Sequence, residues 1–522
     1  MAGGGFSAGS GGGRAADYEG KITFYVIMTC IIAASGGLMF GYDVGISGGV
    51  TSMDDFLAKF FPDVLRNKQN TAAGQSSSYC QYDNQNLQLF TSSLYLAALI
   101  ATFFASTVTR KYGRKATMLI AGIFFILGVI LNAAAQDLAM LIIGRILLGC
   151  GVGFANQGVP LFLSEVAPTH LRGGLNILFQ LNVTIGILFA NLVNYGTLRI
   201  RPWGWRLSLA IAGIPALCLA IGSLVLVETP NSLVERGHLE KAKATLRKIR
   251  GTDNINAEFE DLVEASRVAK QVEHPFRNLI KRRNRPQLVI TCALQIFQQF
   301  TGINAIMFYA PVLFQTLGFE NDASLYSAVI TGAVNVLSTL VSVYFVDKVG
   351  RRVLLLEACV QMFVSQVAIG IILGVGLKND STQLSHGVAI LVVVLICVYV
   401  SAFAWSWGPL GWLIPSEIFP LETRSSGQSV TVCMNMLFTF IIAQAFLSML
   451  CAFKYGIFLF FAAWVVVMGI FTLLFIPETK NIPIEEMGVV WKQHWFWKRY
   501  VPSWDYPEAN INGQQELKPI PV

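Results

Sequence analysis

Charge is scarce in this chain. Asp, Glu, Lys and Arg make up 13% of its 522 residues and hydrophobic residues 54%, whereas an ordinary soluble domain is about 25% charged. A large soluble enzyme is therefore a poor fit. The nine cysteines include no Cys-x-x-Cys pair, and the five histidines (His170, His238, His274, His386 and His494) fall in loops or tails, so the spacings of zinc and redox sites are missing. The Gly-rich stretches lack a strand–helix setting and a Lys-Ser or Lys-Thr that would reach a phosphate. No catalytic constellation, cofactor or metal site is expected. Met1 to Gly20 is rich in Gly and Ser without an apolar core, so it reads as neither a cleavable signal nor a folded domain.

What the chain has instead is apolar residues in blocks of about 20, the length of a helix that crosses a bilayer. Twelve spans are expected, near residues 22–44, 88–108, 117–135, 138–162, 175–197, 207–227, 288–314, 324–346, 353–376, 387–412, 428–450 and 455–476. The fold class is all-α integral membrane, in two six-helix halves. The expected division is a disordered tail (1–21), an N-terminal half (22–228) with an extracellular lid (51–83), a helical connector (229–287), a C-terminal half (288–480) and a second tail (481–522). Lys and Arg crowd one set of short loops, at 110–115, Arg172, Lys348, Arg351-Arg352 and Arg424, together with the connector. That side reads as cytoplasmic and both termini join it. The formal charge of +7 then reports topology and contact with an anionic leaflet, not nucleic-acid binding. In the connector, Leu239 to Ile249 and Glu258 to Lys270 place apolar residues at helical spacing among charges, which suggests short amphipathic helices, with a plain solvated linker as the equal alternative.

Asp43 stands near the extracellular end of the first apolar run, where burying a carboxylate costs roughly 2.5–3.5 kcal/mol; such a group is by default a proton or ion site. Arg145, inside the run Leu138 to Leu148, is its obvious partner. The plainer alternative is that each hydrogen-bonds within a helix interface. The chain also repeats itself. Gly113-Arg114 is echoed by Gly350-Arg351 at an offset of 237, Ser164-Glu165 with Pro168 and Arg172 by Ser416-Glu417 with Pro420 and Arg424 at 252, and Glu228-Thr229 by Glu478-Thr479 at 250. Three matches in one order imply a duplicated half, with a site between the copies near the membrane midplane.

Gln298-Gln299-Phe300-Thr301-Gly302-Ile303-Asn304 with Tyr309, Gly408-Pro409-Leu410-Gly411-Trp412, the Gly-Arg-Arg/Lys loops and the paired Ser-Glu-x-x-Pro segments resemble the sugar porters of the major facilitator superfamily. The opening Gly36 to Asp43, the ending Pro483 to Met487 and the stretch Trp491 to Trp497 are similar to the plant sugar transport proteins, which are hexose/proton symporters. Two departures fall at cytoplasmic gating positions: Arg110 where the loop pattern has Asp, and Val227 where an exit segment has Pro.

The resemblance implies that Asp43 is the proton site with Arg145 as its partner. It implies sugar contacts at Phe40, Gln180, Gln298, Gln299, Asn304, Asn335, Phe403, Gly408, Trp412 and Asn435. Amides suit a ring of hydroxyls because each both donates and accepts, though read alone each is also a common helix–helix hydrogen bond. Gln299 and Asn304 could cup one ligand only if the helix breaks near Thr301-Gly302, and Gly408-Pro409 should break the helix beside Trp412. The resemblance also places Trp407 among the sugar-stacking or occluding rings, and for Trp405 and Trp407 packing or interfacial anchoring is an equal alternative to that role. Gating is implied at Gly113, Arg114, Glu165, Arg172, Glu228, Gly350, Arg351, Glu417, Arg424 and Glu478. Seven cysteines lie in apolar runs; Cys80 and Cys451 do not, and the plant group is similar in tying an extracellular lid with such a disulfide bridge. The expectation is proton-coupled hexose uptake across the plasma membrane by alternating access, with hexose, proton and lipid bilayer as partners, no nucleic acid, and a monomer sufficient for function. The rivals are a passive facilitator, in which Asn typically stands in place of Asp43, and a transporter-like sensor.

Overall fold

The structure, a computed structural model, describes residues 23–72, 78–166, 172–270, 275–316, 321–376, 386–419, 423–480 and 487–500. Among these, twelve helices are long and apolar enough to cross a membrane: Phe24–Ser52, Gln85–Tyr112, Arg114–Ala134, Leu138–Leu163, Ile177–Thr197, Gly204–Val225, Arg282–Gln315, Ala323–Val346, Arg351–Val375, Gly387–Ile418, Ser426–Phe453 and Gly456–Phe475. They are spans one to twelve below. The tail 1–21, His170, His274, Pro168, Pro420 and Pro483 lie outside the described residues.

Span one packs on span five through Gly37, Gly41 and Gly45, one residue in four. A Cβ at Gly41 would run into the Val183 carbonyl, and one at Gly45 would lie 2.8 Å from the Ile187 carbonyl. Such a seam lets two backbones touch, and close packing is what joins helices where the solvent is as apolar as they are. Span one is longer than its apolar run suggests. It continues to Ser52, so Asp43 lies well inside the helix and the expected lid begins later than residue 51. The glycines and hydroxyls after Asp43 read as a loop in sequence, but the hydroxyls of Ser47, Thr51 and Ser52 donate to carbonyls one turn back (2.9, 2.9 and 2.7 Å). The glycines, in turn, face other helices.

Two spans break where the sugar contacts expected from sequence cluster. Span seven is helical over Arg285–Phe300 and again over Ile303–Thr316, with Gly302 at φ +85° between them. The orphaned Thr301 carbonyl accepts from Gln366 Nε2 and Tyr399 OH, both at 2.8 Å. Span ten breaks at Ser406, between His386–Trp405 and Trp407–Ile418, rather than at Gly408-Pro409. Pro409 sits in the first turn of the second piece, where its missing N–H costs nothing. Trp407 is fully buried and its Nε1 donates to the Leu355 carbonyl at 3.3 Å, so it packs the interior and is not an interfacial anchor.

After span one, helices Asp54–Phe60 and Pro62–Ala72 and the turn Ser78–Cys80 form a cap. Phe56 and Phe60 pack on Trp205 at 5.7 and 5.4 Å, fixing the cap to the N-terminal half. At the opposite end each half has its own brace. In the connector, Leu239–Arg250 and Asn256–Lys270 are helices; Arg250 Nη1 donates to the Val166 carbonyl at 2.9 Å and Thr23 Oγ1 to the Ile249 carbonyl at 3.2 Å. Beneath the C-terminal half, Trp495 and Trp497 donate to the Leu474 and Phe475 carbonyls, both at 2.8 Å.

Candidate functional site

Arg145 Nη1 donates to Asp43 Oδ1 at 2.7 Å and its Nη2 to Ser47 Oγ at 3.1 Å. The guanidinium lies 4.0 Å from the Phe90 ring centroid. Arg145 is fully enclosed and Asp43 nearly so, so the pair is dry. A desolvated pair is strong only while both members stay charged, which makes it a binary element: protonating Asp43 removes the attraction and leaves Arg145 with Ser47 and an aromatic face. Phe90 and Ser47 were not singled out from sequence. Ser47 was legible, one turn from Asp43; Phe90 was not, because an aromatic in a span usually faces lipid or core.

A chain of amides occupies the C-terminal half. Asn435 Nδ2 donates to Gln298 Oε1 and to Gln295 Oε1, both at 2.8 Å. Gln298 Nε2 donates to the Trp407 and Gly408 carbonyls at 3.0 and 3.2 Å, and Gln295 Nε2 to the Gly411 carbonyl at 2.6 Å. Asn304 Nδ2 donates to Gln299 Oε1 across the break in span seven. Asn335 Nδ2 points at Met307 Sδ, 3.8 Å away. Phe403 is buried and borders Gly408, while Phe40, Gln180 and Trp412 are half-buried. The structure therefore joins Gln298, Asn435 and Gly408, pairs Gln299 with Asn304, and leaves Gln180 and Phe40 on the facing half. Gln295 was missed, yet it is legible: one turn before Gln298 on the same helix.

The two sets of repeated motifs build matching clusters at the end opposite the cap. Gly113 (φ +97°) lets the Arg114 N–H reach Glu228 Oε1 at 3.0 Å; Gly350 (φ +105°) lets the Arg351 N–H reach Glu478 Oε1 at 2.9 Å. Arg114 Nη2 meets Glu165 Oε1 at 2.7 Å and Arg351 Nη2 meets Glu417 Oε1 at 2.8 Å. The Thr229 hydroxyl bonds Glu165 and the Thr479 hydroxyl bonds Glu417. Glu235 adds a further carboxylate on Arg114 at 2.6 Å. The two departures leave this plan intact: Arg110 is exposed, and the Val227 N–H, which a proline would lack, donates to Tyr25 OH at 2.9 Å. The side chains of Arg172, Arg424, Ser164 and Asp347 lie outside the described residues. Nearby, His494 Nδ1 accepts from the N–H groups of Phe496 and Trp497 at 3.2 and 3.4 Å; burial and Arg352 hold its pKa below the usual histidine value.

Hydrogen bonds between the halves gather at the cap end. Ser448 Oγ donates to Asp83 Oδ1 at 2.6 Å and accepts from Gln88 Nε2 at 2.9 Å, Gln444 Nε2 donates to Gln85 Oε1 at 3.0 Å, and Tyr82 OH bonds Gln315. Cys80 and Cys451 form a disulfide beside them, with Cα atoms 4.5 Å apart; Cys451 belongs to the last turn of span eleven rather than to a loop. Nearer the middle, Tyr95 stacks on Phe308 at 5.0 Å, so span two, which also carries Phe90, touches the second piece of span seven, which carries Asn304.

A family model described as "Sugar (and other) transporter" matches residues 29–491. Sugar transport protein MST4 of Oryza sativa subsp. japonica is 73% identical over 98% of the chain and 98% of its own length. Sugar transport protein 13 of Arabidopsis thaliana is 73% identical over 99% of the chain and 97% of its own. Among solved structures, the proton:xylose symporter XylE bound to 6-bromo-6-deoxy-D-glucose aligns with a TM-score of 0.75 at 27% identity, covering 90% of this chain and 100% of that one. A partially occluded inward-open form of XylE from E. coli aligns at 0.71 and 25% identity, covering 88% and 99%.

Proposed function

The chain belongs to the sugar transporter family, and from that premise we propose that it imports a hexose across the plasma membrane together with a proton, by alternating access of its two halves. One observation carries the reading: a dry Asp43–Arg145 pair in one half lies beside helices that touch the amide-lined, broken span seven of the other. The cap end faces outside and the end bearing the Arg114 and Arg351 clusters faces the cytoplasm, as do both termini.

The amides Gln298, Gln299, Asn304 and Asn435 bond one another in the structure, and a hexose exchanges those bonds for bonds to its hydroxyls at little net desolvation cost. Asn335, Gln180, Phe40, Phe403, Gly408 and Trp412 complete the pocket, the rings packing on the C–H face of the sugar. When the cap end opens, Asp43 takes a proton from outside and releases Arg145. Phe90 and Tyr95 then shift on span two, and Tyr95 passes the change to Phe308. The break at Thr301-Gly302 lets the second piece of span seven follow without dragging the first. Each of the Glu165 and Glu417 clusters holds its own half together, so each half moves as a body when the cytoplasmic end opens, and deprotonation there restores the pair seen in the structure. A gradient of two pH units supplies ~2.7 kcal/mol and a 100 mV potential ~2.3 kcal/mol, together enough for a several-thousand-fold accumulation, roughly.

The test is uptake of labelled hexoses into transporter-deficient cells at two external pH values, with and without a protonophore. Accumulation above equilibrium that the protonophore collapses is the expected result. Uptake that stops at equilibrium and ignores the protonophore would establish the passive facilitator instead.

A further inference from the structure

The halves meet chiefly along three pairs of spans: two with eleven, one with seven, and five with eight. Phe308 of span seven marks the middle, because it stacks on Tyr95 of span two and a Cβ on Gly48 of span one would run into its carbonyl. The two outer pairs are held by different chemistry. At the edge of spans two and eleven the hold is covalent and polar. Cys80, just before span two, is bonded to Cys451 in the last turn of span eleven. Deeper along the same edge Gln85 Nε2 donates to Ser448 Oγ at 3.0 Å and Ser92 Oγ to Gln444 Oε1 at 2.5 Å. A disulfide keeps its two Cα atoms within roughly 4.4–6.8 Å of each other, and here they are 4.5 Å apart. The halves can therefore part at this edge by only about 2 Å, less than the roughly 3.5–4 Å that separates two touching carbons. No sugar passes there.

Spans five and eight carry no cysteine. They meet by close packing at Gly332, where a Cβ would lie 3.3 Å from Leu188 Cα. Asn191 Nδ2 donates to the Ala328 carbonyl at 3.2 Å, and nearer the cap the rings of Tyr195 and Tyr326 are 6.4 Å apart. Contacts of this kind part and re-form without breaking a covalent bond. Asn335, one of the expected sugar contacts, follows Gly332 by three residues on span eight, so this edge leads to the pocket. Taking the alternating access proposed above as given, we infer that the cap end opens like a clam hinged on the edge of spans two and eleven, and that the sugar enters between spans five and eight. The bridge is then the pivot of the outer gate, and Leu188 against Gly332 is its closing contact.

The experiment uses the full chain in lipid vesicles, with hexose uptake measured and disulfides mapped by mass spectrometry. Leu188→Cys combined with Gly332→Cys should lose uptake about tenfold or more once oxidation joins the two thiols, because the opening edge is then locked. The same variant before oxidation, and Leu188→Cys alone after it, should transport like wild type, which separates a locked gate from a damaged fold. Wild-type protein whose Cys80–Cys451 bridge is fully formed should transport at least as fast as after reduction, since a hinge stays closed throughout. Undiminished uptake with spans five and eight linked, or wild-type uptake confined to the reduced fraction, would overturn the hinge. Wild-type uptake of any hexose tests the transport reading separately. Hydrogen exchange of the wild-type chain needs neither variants nor transport: amides at the cap ends of spans five and eight should exchange about tenfold faster than those of spans two and eleven, and equal or reversed rates would overturn the hinge as well.

Discussion

The two halves descend from one pattern yet differ in what they hold at the centre. The N-terminal half buries a charge pair, Asp43 with Arg145, over an aromatic ring. In the C-terminal half the corresponding depth is filled by Gln295, Gln298 and Asn435 bonded in a chain and by Gln299 bonded to Asn304. A carboxylate changes charge with pH and an amide does not, so in the proposed cycle one half responds to protons while the other keeps a constant surface for a polyol. At the end opposite the cap the halves stay alike in their paired motif residues, Gly113 and Gly350, Arg114 and Arg351, Glu165 and Glu417, Glu228 and Glu478, Thr229 and Thr479, and differ at Glu235 and Val227. The repeat is kept in the clusters at that end and differs at the centre, where the proposed cycle gives the halves different chemistry.

The largest break in this comparison comes from making the N-terminal interior as uncharged as the C-terminal one. Asp43→Asn should lower accumulation from far above equilibrium to about unity and remove its pH dependence, while exchange down a gradient persists, because the amide imitates the protonated acid. Labelled-hexose accumulation with an imposed pH gradient measures it, and undiminished accumulation would remove Asp43 from the proton path. Next in size are Gln298→Ala and Asn304→Ala. An unpaired buried hydroxyl costs ~1–3 kcal/mol, so apparent Km should rise about 5- to 150-fold at normal surface expression. Gln295→Ala, acting through Asn435, should fall at the low end of that range. Wild-type Km in all three would place the sugar elsewhere.

A smaller effect is expected where the halves are tied. Cys80→Ala and Cys451→Ala should each weaken uptake by a smaller factor than the binding-site variants, because the bridge ties the cap to span eleven and touches neither Asp43 nor the amides, most visibly at high external pH where the proposed protonation of Asp43 limits the cycle. The double variant should be no worse than either single; free thiols at both positions in transport-competent protein, read by non-reducing peptide mapping, would refute the bridge. The smallest effects concern the braces. Val227→Pro gives the N-terminal half the Pro-Glu exit that Pro477-Glu478 gives the other half, and deletes the bond to Tyr25, for a loss of about 1 kcal/mol visible as a Tm lowered by a few degrees. His494, whose docked form has a pKa below its free value, binds fewer protons docked than released. Docking of the C-terminal segment should therefore weaken as pH falls through the ordinary histidine pKa of about 6.5 toward the depressed one, read as faster proteolysis after Gln493, and His494→Ala should flatten that dependence.

Sequence by itself determined the membrane class, twelve spans and the duplication, because length and hydropathy of a run suffice where every backbone group must be satisfied within its own helix. It also singled out Asp43, Arg145 and the amides, because polar side chains are rare and costly in such runs. Tertiary structure decided the rest. The length of span one depended on hydroxyls bonding back to the helix and on glycines that face neighbouring backbones, and the break in span ten fell at Ser406 because Pro409 could be absorbed in a first turn. Phe90 beneath Arg145, Tyr95 on Phe308 and Glu235 on Arg114 carry no local signal, since an aromatic in a span or a glutamate in a connector looks like any other. Which residues of one half lie against which of the other is set by packing between helices hundreds of residues apart, and periodicity within a single helix does not encode it.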